Sequence, residues 1–175
     1  MKRVLSFLIL IAVVFTVCGC TLQQQKIDQP VNYYYKATEI GYEDTSGVIK
    51  PEQRENRGHE DAFTYHIENY LAGPKSADLQ SAFPADVSLV DLNFEMNTAT
   101  VTLSQQMTLL SGKDLTIACT CLGKTLLELT GCKVVKICIQ NNLIDGRPYY
   151  SISANSHLLI DNTVLEPTEL AVGKD

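Results

Sequence analysis

The sequence predicts an α+β domain in which a small sheet carries two helices on one face. Three observations lead there. Val31, Tyr33 and Tyr35 alternate with polar partners as a half-buried strand does. Two separate segments, 59–72 and 111–131, repeat apolar residues every three to four positions. The order strand, edge strand, helix, hairpin, helix, strand is that of a layered fold with its helices covering a sheet. The opposite face of that sheet is either solvated or a docking surface.

Taken in order, Val31 to Lys36 is rich in strand formers and reads as the first strand. In the stretch 47–55, Val48 and Ile49 precede Pro51, and a proline that cannot donate to a ladder restricts it to an edge. From His59 to Ala72 the apolar positions Ala62, Phe63, Ile67, Tyr70 and Leu71 define an amphipathic helix. Glu60 and Asp61 fall in its first turn, where the helix dipole favours acids, and Gly73-Pro74 stops it. Val90, Leu92 and Phe94 alternate along one strand and Ala99, Val101 and Leu103 along the next. Glu95-Met96-Asn97-Thr98 joins them as a hairpin.

Ser111 and Asp114 form an S-x-x-D start signal for the second helix, whose apolar face gathers Leu115, Ala118, Cys119, Leu122, Leu126 and Leu129 before Gly131. Residues 134–139 read as a buried strand, Asp145-Gly146 as a turn and 149–152 as one more strand. Residues 161–175 read as a loosely held C-terminal tail.

The N-terminus carries an address. Lys2-Arg3 precedes an apolar run from Val4 to Val17, short of the ~20 residues of a spanning helix, so residues 1–19 are expected to be a cleaved export signal. Val17-Cys18-Gly19-Cys20 resembles the lipobox of bacterial lipoproteins, which makes Cys20 the expected lipidation site, although Cys18 is less usual there than Ala or Ser. An uncleaved anchor is the competing reading; the small residue and the cysteine fall where a cleavage signal places them. Residues 20–29, with three consecutive glutamines, form a short tether, and the domain proper spans 30–160. Loss of Lys2 and Arg3 leaves 12 basic against 20 acidic side chains, a balance that opposes binding to nucleic acid or to anionic lipid. Membrane attachment must then come from the lipid on Cys20.

Six cysteines occur, and Cys18 and Cys20 belong to the leader. Cys119 and Cys121 would point about 200° apart on a helix, which is poor geometry for one ion. Buried, unpaired thiols are favoured for Cys119, Cys121, Cys132 and Cys138 over disulfides, and disulfides over metal. No metal and no cofactor are expected. Neither a G-x-S-x-G elbow nor an H-E-x-x-H helix is present. His59 and His66, seven apart, would stand roughly 10 Å from each other on one helix face and are expected to be solvated. Glu52 and Glu55 around Arg54 read as an exposed charged edge protecting an unpaired strand. Tyr33, Tyr34 and Tyr35 are the candidate binding surface, an aromatic platform for sugar or peptide, but alternation sets Tyr34 opposite its neighbours and core packing is favoured.

Several short stretches together resemble a known family. They are Val31-Asn32-Tyr33-Tyr34-Tyr35, Pro51-Glu52-Gln53-Arg54, Tyr70-Leu71-Ala72-Gly73-Pro74, Leu79 with Phe83-Pro84, Ala99-Thr100-Val101-Thr102-Leu103-Ser104, and the passage from Leu126 to Ile139. In order and spacing, over roughly residues 30 to 142, the chain is similar to the GerMN domain of exported sporulation and spore-germination proteins. Asn97-Thr98 stands where the family usually has Asp-Gly, and Thr102 where an Asp is common. The resemblance implies a fold like the ring-building modules of secretion systems and a lipoprotein of a spore-forming bacterium at the outer face of the cell membrane. It implies no active site, because the domain is not known as a catalytic fold.

Two functions are compatible with this. The first is a non-catalytic membrane-anchored lipoprotein acting in sporulation or germination through other envelope or sporulation proteins, or by assembling as a homo-oligomer. The second is a binding module for a cell-wall glycan or small ligand, which would need a concave pocket lined by Tyr33, Tyr34 or Tyr35. The first is favoured, because so small a domain has little room for a deep pocket.

Overall fold

The computed structural model describes residues 29–39, 47–56 and 62–154. The leader with Cys20, most of the tether, His59, Glu60, Asp61, His157 and the 161–175 tail lie outside the described residues.

Strand β1 (Val31–Ala37) buries Val31, Tyr33, Tyr35 and Ala37, as its alternation demands. It pairs antiparallel with β2 (Ile49–Arg54) on one side and briefly with β3 (Leu79–Gln80) on the other. The Ala37 N–H donates to Val48 O at 2.8 Å, which makes the odd-numbered residues of β1 the hydrogen-bonded partners of β2. Pro51 stands opposite Tyr34, at a position whose amide points away from β1. The missing N–H is therefore harmless, and β2 is an edge strand as expected.

Helix α1 (Ala62–Leu71) follows and buries His66, Ile67 and Tyr70. It ends where Gly73 takes a positive φ of 98°. Strands β4 (Leu89–Glu95) and β5 (Thr98–Leu103) form the expected hairpin. Two adjustments accompany it. The turn places Met96 at a φ of 50°, a left-handed conformation more usual for Asn or Gly. A bulge between Leu89 and Asp91 sets Leu89, not Val90, opposite buried Leu103, so Val90 leaves the inward series and is exposed.

A short 3₁₀ turn (Gln105–Leu109) leads into helix α2 (Gly112–Thr130), followed by β6 (Val134–Ile139) and β7 (Tyr150–Ser153). Ser111 is the extended N-cap residue, but its side chain makes no capping hydrogen bond, and Asp114 instead stands 3.9 Å from Lys36 Nζ. The S-x-x-D pattern thus marks the start without forming a capping box. At the other end Gly131 has a φ of 67° and its N–H donates to Leu127 O at 3.0 Å. Asp145 and Gly146, with φ of 51° and 72°, make the expected tight turn between Ile144 and Arg147.

The class is α+β with two helices, but the strands fall into two sheets, β2-β1-β3 and β4-β5-β6-β7. The physical reason lies at the edge of β1 that β3 leaves open. There Thr125 Oγ1 accepts the Tyr34 N–H at 2.9 Å, and the Tyr70 hydroxyl donates to Tyr34 O at 3.1 Å. Helix side chains occupy the ladder positions, so no further strand can join. Strands β5 and β6 pair in parallel, with α2 as the crossover. Helix α2 therefore touches β1 of one sheet and β6 and β7 of the other.

The expected one-faced apolar stripe of this helix needs correction for the same reason. Leu115, Ala118, Cys119, Leu122, Leu126 and Leu129 are buried, and so are Ile117, Thr120, Cys121, Gly123 and Thr125 around the rest of its circumference. Cys119 and Cys121 are both buried on this helix, Cys132 and Cys138 are half-buried, and no disulfide joins the four.

Two substitutions on α2 should act in opposite directions. A Cβ on Gly123 would overlap Ile152 Cδ1 and lie 3.1 Å from its Cβ. Gly123→Ala is expected to lower stability by roughly 1–3 kcal/mol through overpacking, read as a drop in the urea midpoint. Thr120 Oγ1 is buried with no hydrogen-bond partner. Thr120→Val, of nearly the same shape, should leave the midpoint unchanged or raise stability by up to about 1 kcal/mol.

Candidate functional site

Strand β1 presents its aromatic residues to α1. Tyr35 and Tyr70 stack with ring centroids 4.9 Å apart and planes 10° from parallel, and the Tyr35 hydroxyl donates to Tyr70 O at 3.0 Å. Tyr33 meets Tyr70 edge-on at 5.8 Å. Its hydroxyl lies 2.6 Å from Nδ1 of His66, whose Nε2 is 3.1 Å from Asn56 Oδ1. An amide oxygen can only accept, so Nε2 donates to Asn56, and in the neutral ring Nδ1 then accepts from the Tyr33 hydroxyl. His66 is 1% exposed, so the expected solvated helix histidine is instead a buried link between β1 and α1. Burial pushes the phenols of Tyr33, Tyr35 and Tyr70 above their ordinary value, and Arg54 pulls Tyr33 and Tyr35 partly back.

The candidate binding surface of Tyr33, Tyr34 and Tyr35 is thus not an open platform. Tyr33 and Tyr35 are in the core. Tyr34 lies on the other face, where its hydroxyl donates to Glu128 Oε2 at 2.8 Å and Lys124 Nζ stands 4.9 Å from its ring centroid. Glu128 Oε1 also accepts from Asn32 Nδ2 at 2.6 Å, which ties the start of β1 to the end of α2.

The charged stretch of β2 is also not the exposed edge the sequence suggests. The side chains of Glu52 and Arg54 are only 12% and 11% exposed. They form an ion pair, and Glu52 Oε2 accepts the backbone N–H groups of Lys75 and Ser76 at 2.9 and 2.8 Å. Arg54 Nη2 donates to Gly73 O at 3.1 Å, and its guanidinium carbon lies 5.4 Å from the Tyr33 ring centroid. Glu52 and Arg54 thus hold the turn after α1 against β2. Nothing in local spacing reveals this, because the partners lie some twenty residues further along the chain.

Between β2, α1 and that turn opens a cleft of about 570 Å³, where Arg54 and Lys75 face the carboxylates of Glu52 and Glu55 and Tyr33, Gln53, Tyr65, Asn69 and Ser76 complete the lining. Among the described residues, no group of three or more His, Cys, Asp or Glu is arranged to hold a metal ion. A second surface, of different character, runs along β4, an edge strand. Val90, Phe94 and Met96 are exposed there beside exposed Asp91 and Glu95. Phe94 leans on Phe63 of α1 with centroids 5.1 Å apart, so the patch is continuous with the core.

Two measurements probe the aromatic cluster. Tyr33→Phe leaves Nδ1 of His66 without its donor and should cost roughly 1–3 kcal/mol, while the added cost in a His66→Phe background should be much smaller. With native phenols shifted up and the Cys119 thiol pushed up by burial to about 12, these groups lose their protons earlier in the unfolded chain than in the native one. Their contribution is complete below the unfolded values and is lost as pH rises through the native ones. The urea midpoint should therefore fall progressively above about pH 9.

The sequence matches the family Germane, described as sporulation and spore germination, over residues 32–149. No match is found among curated proteins. The fold is similar to the first GerMN domain of the sporulation protein GerM from Bacillus subtilis, with 16% identity, 73% of this chain and 99% of that one covered, and a TM-score of 0.57. It is also similar to the tandem GerMN domains of the same protein, at 21% identity, 78% and 48% coverage and a TM-score of 0.51. The family match covers most of the chain and carries both helices and every strand but β7, so the chain belongs to the Germane family of sporulation and spore-germination domains.

Proposed function

We propose that the protein is a non-catalytic lipoprotein, anchored through Cys20 at the outer face of the cytoplasmic membrane, whose GerMN domain docks other envelope proteins during sporulation or germination. The observation that carries the docking reading is the β4 margin. A strand edge left unpaired among the described residues, beside exposed Val90, Phe94 and Met96, is a liability unless something covers it. The flanking Asp91 and Glu95 suit a partner with basic side chains. The polar groups around Glu52 and Arg54 are used to build the fold, which speaks against a reaction there. Anchoring follows from the lipobox-like 17–20 segment, because the acidic domain has no attraction of its own to an anionic bilayer.

The test uses the full chain in a spore-forming host. With radiolabelled palmitate, wild type should be labelled and sediment with membranes, and Cys20→Ala should be unlabelled and soluble. Phe94→Asp should remain labelled and membrane-bound, yet lose its cross-linked partner by roughly tenfold or more. Labelling that survives Cys20→Ala would sink the anchor, and unchanged cross-linking in a folded Phe94→Asp variant would sink the β4 docking surface.

A further inference from the structure

The cleft beside β2 carries chemistry that the docking role does not use. A guanidinium has five N–H donors in a fixed plane. In Arg54, Nε is taken by Glu52 and Nη2 gives one bond to Gly73 O, while Nη1 has no partner among the described residues. The two bonds it does make, and the Tyr33 ring 5.4 Å from its carbon, fix the plane in space. Its entropic cost of ordering is already met by the fold, so an incoming anion would meet a preorganised donor at Nη1. Glu52 offsets the Arg54 charge through one oxygen while its other accepts the amides of Lys75 and Ser76, and exposed Glu55 adds a second carboxylate to the cleft wall, so the anion must be held by directed donors rather than by net charge. The ammonium of Lys75, exposed at the cleft wall, makes no ion pair among the described residues and supplies a second positive charge.

The wall opposite α1 adds a recognition element for backbone. Because odd residues of β1 bond β2, Gln53, opposite Asn32, has its N–H and C=O turned outward from the sheet edge. Gln53 also lines the cleft. One outward donor and acceptor pair beside a fixed guanidinium is the arrangement that receives an extended chain by its amides and its terminus by the cation.

We propose that this cleft binds the free C-terminal carboxylate of a short extended peptide, with Arg54 Nη1 and Lys75 holding the carboxylate and the Gln53 backbone holding the preceding amide. The two sources of such an end near a cell surface are the tail of a protein and a peptide of the wall, which differ in the handedness of the last residues.

The experiment is calorimetric titration of the full chain in detergent with acetyl-Lys-Ala-Ala, built with L-Ala or with D-Ala, each as the free acid and as the C-terminal amide. At least one free acid should bind tenfold or more tightly than its amide, and tightness should fall with added salt. Preference for the L form assigns a protein tail, and preference for the D form a wall peptide. Arg54→Gln should erase the difference between acid and amide, and Lys75→Ala should weaken the acid several-fold. Phe94→Asp should leave titrations unchanged, which separates this site from the β4 surface. Equal binding of acid and amide, no binding of any peptide, or an undiminished acid preference in folded Lys75→Ala would each overturn the proposal. Lys75 is exposed, so the last result is readable even if Arg54→Gln fails to fold.

Discussion

Helix α2 has almost no solvent side between Leu115 and Leu129, and both sheets depend on that burial. Each fully buried Leu or Ile side chain contributes on the order of 1.5–3 kcal/mol, and this helix delivers such groups to β1 on one side and to β6 and β7 on the other. The arrangement restricts residue size as strongly as polarity. Gly123 is small because Ile152 of β7 comes against it, and Ala118 is small within the same interior. The threonines follow a related logic. Thr116, Thr125 and Thr130 return their hydroxyls to carbonyls one turn earlier, so three of the polar groups on this helix are satisfied within it.

Thr125 does more than satisfy itself. By accepting the Tyr34 N–H it ends the three-stranded sheet from the side, and Tyr70 completes the closure through the Tyr34 carbonyl. An open edge in the middle of the molecule would leave buried amides without partners, at a cost of about 1–3 kcal/mol each. The two helices thus act as the missing neighbours of β1. The same strand carries Tyr33 into contact with His66 and Arg54, so one seven-residue segment organises α1, α2 and β2 together.

Regular elements were legible in the sequence because each had a local signature. Residues 134–139 had a compact apolar run, α2 had Gly131 at its end, and Pro51 marked an edge. What was not legible depended on partners distant in the chain. His66 sits on a helix beside ordinary polar neighbours, and only Tyr33, thirty-three residues earlier, makes it a core residue. Glu52 and Arg54 look like a solvated edge until Gly73, Lys75 and Ser76 are folded onto them. The extent of burial around α2 was hidden because Thr and Cys count as weakly apolar, so the side facing β1 did not register as a second stripe. The division into two sheets follows from that same hidden contact. The cleft was missed outright, since its walls come from β2, α1 and the turn after α1.

Charge along the β4 edge bears on how that edge could pair with a second copy of itself. A symmetric antiparallel pairing of two β4 strands centred on Asn93 would set Asp91 of each directly opposite Glu95 of the other. Like charges facing across a strand pair are destabilising, and here they would occur twice. Symmetric pairings centred on Leu92 or on Phe94 instead set Asp91 opposite Asn93 or Asn97, so among these the clash belongs to the Asn93 register alone. The carboxylates therefore disfavour one register of self-pairing and leave the apolar side chains available. A strand that placed cations opposite those carboxylates would gain from both the apolar contact and the charge, in every register that keeps Val90 and Phe94 within the overlap.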